Sequence, residues 1–268
     1  MNMLKAILFD LDGTLLDWRA IKVDWEAYQT DHLGKVYDYV NQHVYPLRER
    51  QRFFETTLSL IFDAWLDAKQ SLLAPHLGQI LVQSLEKEGV PRHLIDIETC
   101  LEAYDVQPIP GLMAFPDVLE ELPVLKKTGL KMGIVTNAFQ PMLLRDMELT
   151  TTGLIEFFDN PCRISAADVG YLKPHAKIFE AALHQLHARP EEVVFVGDSL
   201  RADVAGAKAV GMKAIWRKPE EGVSEFDSTT DRDGNLIVPD GTIVTLSELY
   251  PILDNLYDGW REGLNGGY

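Results

Sequence analysis

Cysteine is nearly missing from this sequence, whose 268 residues include only Cys100 and Cys162. The two stand far apart, so neither a disulfide framework nor a CxxC metal or redox site can be built, and a reducing, cytoplasmic compartment is expected. Basic residues are also scarce. Lys and Arg number 25 against 41 Asp and Glu, a formal net charge of −16, and such a surface repels nucleic acid phosphates and anionic membranes. Neither is expected as a partner. Long apolar runs are lacking as well: Ala6-Ile7-Leu8-Phe9 ends at Asp10, too short for a signal peptide and far below the roughly 20 residues that span a bilayer. No fixed period repeats along the chain. What is present is a globular composition, 46% hydrophobic, and, taking about 150 residues per domain as a guide, a length that suits one large domain or two unequal ones.

The run before Asp10 has the pattern of a strand buried on both faces, as in a parallel sheet. From Trp18 to Tyr104 the apolar period becomes helical, through Leu33, Val36, Val40 and Val44, then Phe54, Leu58, Phe62 and Trp65, then Leu77, Leu81 and Leu85. Pro46, Pro75 and Pro91 fall between these runs, where helix breaks belong. An all-helical insertion of about four helices is expected over residues 18–108. Beyond Gly111, helical stretches alternate with strands at Lys131–Val135, Cys162–Ile164, Val193–Val196 and Lys213–Trp216, with further helices near 118–127, 142–148, 176–187 and 202–210. This order implies βαβ units with right-handed crossovers, hence an α/β fold with a doubly wound, Rossmann-like parallel sheet formed by residues 1–17 and 109–268. Residues 219–241 read as a long surface excursion in which Asn235–Val238 can pair as a hairpin. A last strand at 242–245, a helix over 246–260 and a frayed tail from 263 complete the chain.

Ligands of such a sheet bind beyond the carboxyl ends of its strands. The polar residues found there are Asp10, Asp12, Gly13 and Thr14, then Thr136 and Asn137, then Gly197, Asp198, Ser199 and Asp203, with Lys173-Pro174 preceding a helix. Three strand-end carboxylates, a lysine and a hydroxyl are expected to converge on one crevice. Asp10-Leu11-Asp12-Gly13-Thr14, Val135-Thr136-Asn137, Lys173-Pro174 and Gly197-Asp198-Ser199 with Asp203, in that order, resemble the four motifs of the haloacid dehalogenase superfamily. The match is to its aspartate-nucleophile phosphohydrolase branch and covers residues 3 to about 250. The helical block between the first two motifs is similar to the small cap of one large subfamily.

The residue chemistry agrees with that resemblance. A carboxylate at Asp10 can attack phosphorus in line and give an acyl phosphate, dividing one difficult hydrolysis into two easier steps. Crowded carboxylates repel, so Asp12 is expected to hold a proton as general acid and later to act as base, with Thr14 positioning it. Phosphate and nucleophile are both anionic, and Mg2+ is the cation that suits oxygen donors. The resemblance implies that Asp10 and Asp198 offer side-chain oxygens to it and Asp12 its backbone carbonyl, with Asp203 behind them. Lys173, the Thr136 hydroxyl and the Asn137 N–H are expected to bind phosphoryl oxygens.

The expected activity is therefore Mg2+-dependent hydrolysis of a small phosphomonoester. A sugar phosphate mutase of the same fold is the alternative, and a non-catalytic binding module the more distant one. Asp12 argues against a dehalogenase, which needs no general acid there. His184 and His187 stand at i, i+3 without a third ligand, so no zinc site is expected. Trp18, Trp25 and Trp65 are read as packing residues of the helical block, and Arg48, Arg50 and Arg52 as a solvated basic face.

Overall fold

A computed structural model describes residues 3–158, 162–220, 222, 227–231 and 233–261. The described residues form a six-stranded, wholly parallel sheet in the order β5-β4-β1-β6-β7-β8. Its strands are β1 (Ala6–Phe9), β4 (Lys131–Thr136), β5 (Arg163–Ser165), β6 (Val193–Gly197), β7 (Lys213–Arg217) and β8 (Gly241–Ile243). β1 is buried completely because it is flanked on both edges and covered on both faces. Side chains alternate across a strand, so Ile7 and Phe9 enter one core with Ile134, Val194 and Val196. Helices α5 (Pro116–Lys127) and α10 (Leu249–Leu256) cover that face through Val118, Leu122, Leu249 and Leu253. Ala6 and Leu8 enter the opposite core with Val135 and Phe195, covered by α8 (Ala176–Leu186) through Ile178, Phe179 and Ala182. Helices thus lie on both faces, as the alternating pattern requires.

A second, two-residue ladder pairs β2 (Leu16–Asp17) with β3 (Met113–Ala114), antiparallel. Between them run four helices, α1 (Trp25–His43), α2 (Arg50–Ser71), α3 (Leu77–Lys87) and α4 (Ile97–Tyr104), and each of the three prolines lies in a gap. Leu33, Val36, Val40, Phe53, Leu77, Leu81 and Leu85 build their shared core, which also takes in Phe139 and Leu144 from the segment after β4. The α2–α3 connection is hydrogen-bonded to the sheet's loops. Leu77 N–H donates to Phe139 O at 2.8 Å, and Leu172 N–H to Leu72 O at 2.9 Å. The helices are thereby seated beside the loops that carry Asn137 and Lys173.

Several boundaries differ from the sequence expectations. β5 is shifted by one residue, β8 starts one residue earlier and ends two earlier than expected, and the stretch after Ser199 is a π-helical turn, Leu200–Ala205, continuing into α9 (Gly206–Ala209). The expected terminal helix divides into a 3-10 turn at Leu246–Glu248 and α10, which stops at Leu256. In the excursion, Thr230 bridges Leu236 antiparallel and Ile237 N–H donates to Thr229 O at 2.9 Å, a small hairpin-like turn. The expected tail at 263–268 lies outside the described residues. Two short helices remain, α6 (Met142–Thr151) after β4 and α7 (Ala166–Val169) after β5. Among the described residues no helix is long and apolar enough to cross a membrane.

Candidate active site

Because the strands are parallel, β1, β4 and β6 end at the same edge, and β1 lies between the other two. Asp10 leaves β1 there, its N–H donating to Val196 O at 2.9 Å. The chain then turns tightly, Leu15 and Leu16 N–H both donating to Leu11 O at 2.9 Å. Gly13 makes this turn possible. It has φ of +82°, and a Cβ built on it would stand 2.4 Å from Asp198 Oδ2, so the first and fourth motifs close on each other only where no side chain intervenes. Gly13→Ala is expected to lower stability by roughly 1–2 kcal/mol from the left-handed backbone alone and to displace Asp198. Thermal unfolding and the metal concentration needed for half-maximal activity check this, and an unchanged metal requirement would refute the displacement.

Lys173 reaches the same point from the loop between α7 and α8. Its Nζ lies 2.5 Å from Asp10 Oδ1, 2.7 Å from Asp203 Oδ1 and 2.9 Å from Val135 O. Its backbone is gripped by Asn137, whose Oδ1 accepts from Lys173 N–H at 2.7 Å and whose Nδ2 donates to Lys173 O at 3.1 Å. The Asn137 side chain therefore positions the lysine, a task separate from the one expected of its N–H. Asp203 also accepts from Ser199 N–H at 3.0 Å. Asp198 is steadied by Trp216, whose indole N–H donates to Asp198 O at 2.7 Å.

The carboxylates of Asp10, Asp198 and Asp203 offer oxygens within 4.8 Å of one another. Burial, with the charges of Asp203 and Asp12, pushes Asp10 up to about 7 against the pull of Lys173. Burial and the charges of Asp10 and Asp203 push Asp198 up to about 8. Burial draws Lys173 down, but the two adjoining carboxylates outweigh it and hold the ammonium above its ordinary value. Three carboxylates share one lysine here, and the surplus negative charge on hard oxygen donors fits a divalent cation such as Mg2+. His184 and His187 stay outside this group, their rings 6.2 Å apart.

Asp12 faces a different set of partners. Its Oδ1 accepts from Trp18 Nε1 at 3.0 Å and from Arg145 Nη2 at 2.6 Å, and its Oδ2 accepts from the Thr136 hydroxyl at 3.1 Å. Thr14, expected to position Asp12, instead has its hydroxyl buried without a hydrogen-bond partner. Trp18, read as packing alone, is also an Asp12 donor. Arg145, on α6 and 6% exposed, was not among the expected site residues, and it also pairs with Glu148 at 3.0 Å. The signal was available. Met142, Arg145 and Leu149 share a helical face spaced for burial, and an arginine on such a face needs a buried anion. Arg50 and Arg52 pair with Asp38 and Glu88 on the helical block.

The second segment from afar is the excursion. Asp227 accepts from the Ser199 hydroxyl at 3.0 Å and from the N–H groups of Leu200 and Arg201 at 2.6 and 3.0 Å. It caps the turn on which Asp203 sits.

A parallel sheet flanked by helices, with carboxylates, a lysine and a hydroxyl gathered at the ends of its central strands, defines an α/β protein with one candidate site at the carboxyl edge of the sheet. The family model for haloacid dehalogenase-like hydrolases matches residues 4–211, and the chain belongs to that family. It is 29% identical over 219 residues to the glyceraldehyde 3-phosphate phosphatase of Pyrococcus furiosus, covering 81% of this chain and 82% of that one. It is 30% identical over 256 residues to the protein of the same name from Methanocaldococcus jannaschii, covering 95% and 99%. Among solved structures, the HAD phosphatase from Thermococcus onnurineus superimposes with a TM-score of 0.53 at 30% identity, covering 93% of this chain and 98% of that one.

Proposed function

We propose that the protein is a Mg2+-dependent phosphomonoester hydrolase that acts on a small phosphorylated metabolite through an aspartyl phosphate on Asp10. The observation that carries the reading is the contact of Lys173 with both Asp10 and Asp203 beside the Asp198 carboxylate. It is an arrangement for drawing a phosphoryl group onto a carboxylate. Relatives named as phosphatases of a small sugar phosphate support it. Residues 18–108 would act as a cap over the crevice and residues 1–17 with 109–268 as the catalytic core, in keeping with the hydrogen bonds from the α2–α3 connection to the site loops. A cytoplasmic setting is in keeping with the two free, buried cysteines.

In the first step an Asp10 oxygen attacks phosphorus in line while the leaving alcohol takes a proton from Asp12. The Asp12 Oδ1 lone pairs already accept two N–H donors, so Oδ2, facing only the Thr136 hydroxyl, is the oxygen left to carry that proton. The Lys173 ammonium, the Thr136 hydroxyl and the Asn137 N–H hold the phosphoryl oxygens as their charge rearranges. In the second step Asp12 removes a proton from water, the water oxygen attacks phosphorus, and the bond to Asp10 breaks to release phosphate. Mg2+ on Asp10, Asp198 and the Asp12 carbonyl would supply charge neutralisation between nucleophile and phosphate.

Phosphate release from a panel of small phosphomonoesters, with Mg2+ present or chelated, tests the proposal. Release is expected to fall by at least 100-fold on chelation and to return when Mg2+ is restored. Metal-independent release would overturn the metal assignment, and isomerised ester in place of free phosphate would identify a mutase.

A further inference from the structure

A cavity of about 220 Å³ opens beside the catalytic residues, on the β7 side of β6. Gly13 and Asp198 form one wall, and Phe115, Arg19, Arg217, Lys218 and Glu220 are among its other lining residues. Three cations around one small cavity are notable in a chain of net charge −16. Arg217 is the last residue of β7 and only 5% exposed. Its Nη2 donates to Asp117 Oδ1 at 2.8 Å, its guanidinium lies 4.3 Å from the centroid of Phe115, and its buried Nη1 has no hydrogen-bond partner. Arg19 lies over the same ring at 5.1 Å. It is held by Asp17 and by Glu220, the latter 2.5 Å from its Nη1. The exposed Lys218 makes no ion pair with any described residue.

An unpartnered N–H on a buried guanidinium is costly to leave unmet. Asp117 uses one side of Arg217 and is itself committed to Leu246 N–H at 2.8 Å, so it does not supply the missing acceptor. Glu220, from the edge of the excursion, shows that a carboxylate reaches Arg19 at the cavity. A tetrahedral dianion offers more acceptor oxygens than Glu220 and suits a guanidinium with an ammonium beside it. From the shared wall at Gly13 and Asp198, we infer that this cavity is a subsite for a second phosphate group on the substrate, displacing Glu220 from Arg19. The inference rests on the phosphatase reading and sharpens it: the substrate class becomes a small bisphosphate whose reacting phosphate lies on Asp10 and whose other phosphate lies against Arg217 and Lys218.

The probes are bisphosphates of linear alkane diols with two to five carbons, each compared with the alkyl monophosphate of equal length. Dissociation constants are measured by titration calorimetry with Mg2+ on the Asp10→Asn protein, which cannot turn them over. At one chain length the bisphosphate is expected to bind at least tenfold more tightly than its monophosphate. Adding Arg217→Met, or separately Lys218→Glu, should reduce that advantage below threefold. Should Arg217→Met unfold the protein by circular dichroism, Lys218→Glu, at an exposed position, decides the matter alone. No advantage at any length, or an advantage that the decisive variant leaves intact, overturns the subsite. Orthophosphate binding as a second equivalent beside a monophosphate, lost in the variant while no bisphosphate advantage exists, overturns it in favour of a free-anion site. Turnover by the unmodified enzyme is followed in parallel. Hydrolysis without a bisphosphate advantage refutes the subsite alone, and an advantage without hydrolysis of any ester refutes the phosphatase reading alone.

Discussion

Asp10→Asn should fold and bind metal yet lose turnover by a factor of about 10⁴ or more, the order of loss seen when a covalent nucleophile is removed. The amide matches the carboxylate in shape but is too weak a nucleophile to form the acyl phosphate. Folding should survive because the substitution removes one of three crowded carboxylates while Lys173 keeps Asp203 at 2.7 Å. Unfolding temperature and phosphate release, measured on the same sample, separate chemistry from folding. Turnover that persists in a pure preparation would refute the aspartyl phosphate.

Lys173→Met should lower turnover by about 10²–10³, the loss typical when a donor to developing phosphoryl or oxyanion charge is removed. Here stability should fall as well. Methionine fills the volume but leaves Asp10 and Asp203 buried without their cation, and breaking a buried pair costs about 3–5 kcal/mol. That cost depends on pH. Without the ammonium, the folded-state affinity of Asp10 for protons, already raised by burial, rises further above its unfolded value. Stability is then present at low pH and lost as pH rises through the raised folded value. The variant in metal-free buffer should accordingly be less destabilised at pH 6 than at pH 8. Equal destabilisation at both would mean that lost packing, not lost charge, dominates.

The parts of this molecule legible in the sequence are those governed by neighbours along the chain. β1, β4, β6 and β7 announce themselves because strands buried on both faces must be apolar throughout. The prolines mark the gaps between α1 and α4 because they remove helix donors. Asp10, Lys173, Asp198 and Asp203 could be grouped because the ends of parallel strands share one edge. Two partners of Asp12 could not be found that way. Arg145 lies on a helix rather than at a strand end, and only its spacing with Met142 and Leu149 marks it as buried, while Trp18 lies in the segment after β2. Asp227 was hidden for another reason, since a carboxylate in a polar excursion looks solvated until its contact with Ser199 is seen. The π-helical turn also escaped, because Leu200–Ala205 has an ordinary helical composition.

The central place of β1 has a consequence for how the protein comes into being on the ribosome. Its four apolar residues are synthesised well before either partner, since β4, on one edge, begins at Lys131 and β6, on the other, at Val193. Most of the polypeptide must emerge before both edges are covered. Until then an apolar strand presents open backbone groups of the kind that attract wrong partners. Asp10, directly after β1, thus meets Lys173 only late in folding. Lys5 before the strand and the turn of Asp10 to Gly13 directly behind it are the charged neighbours that flank it during that wait.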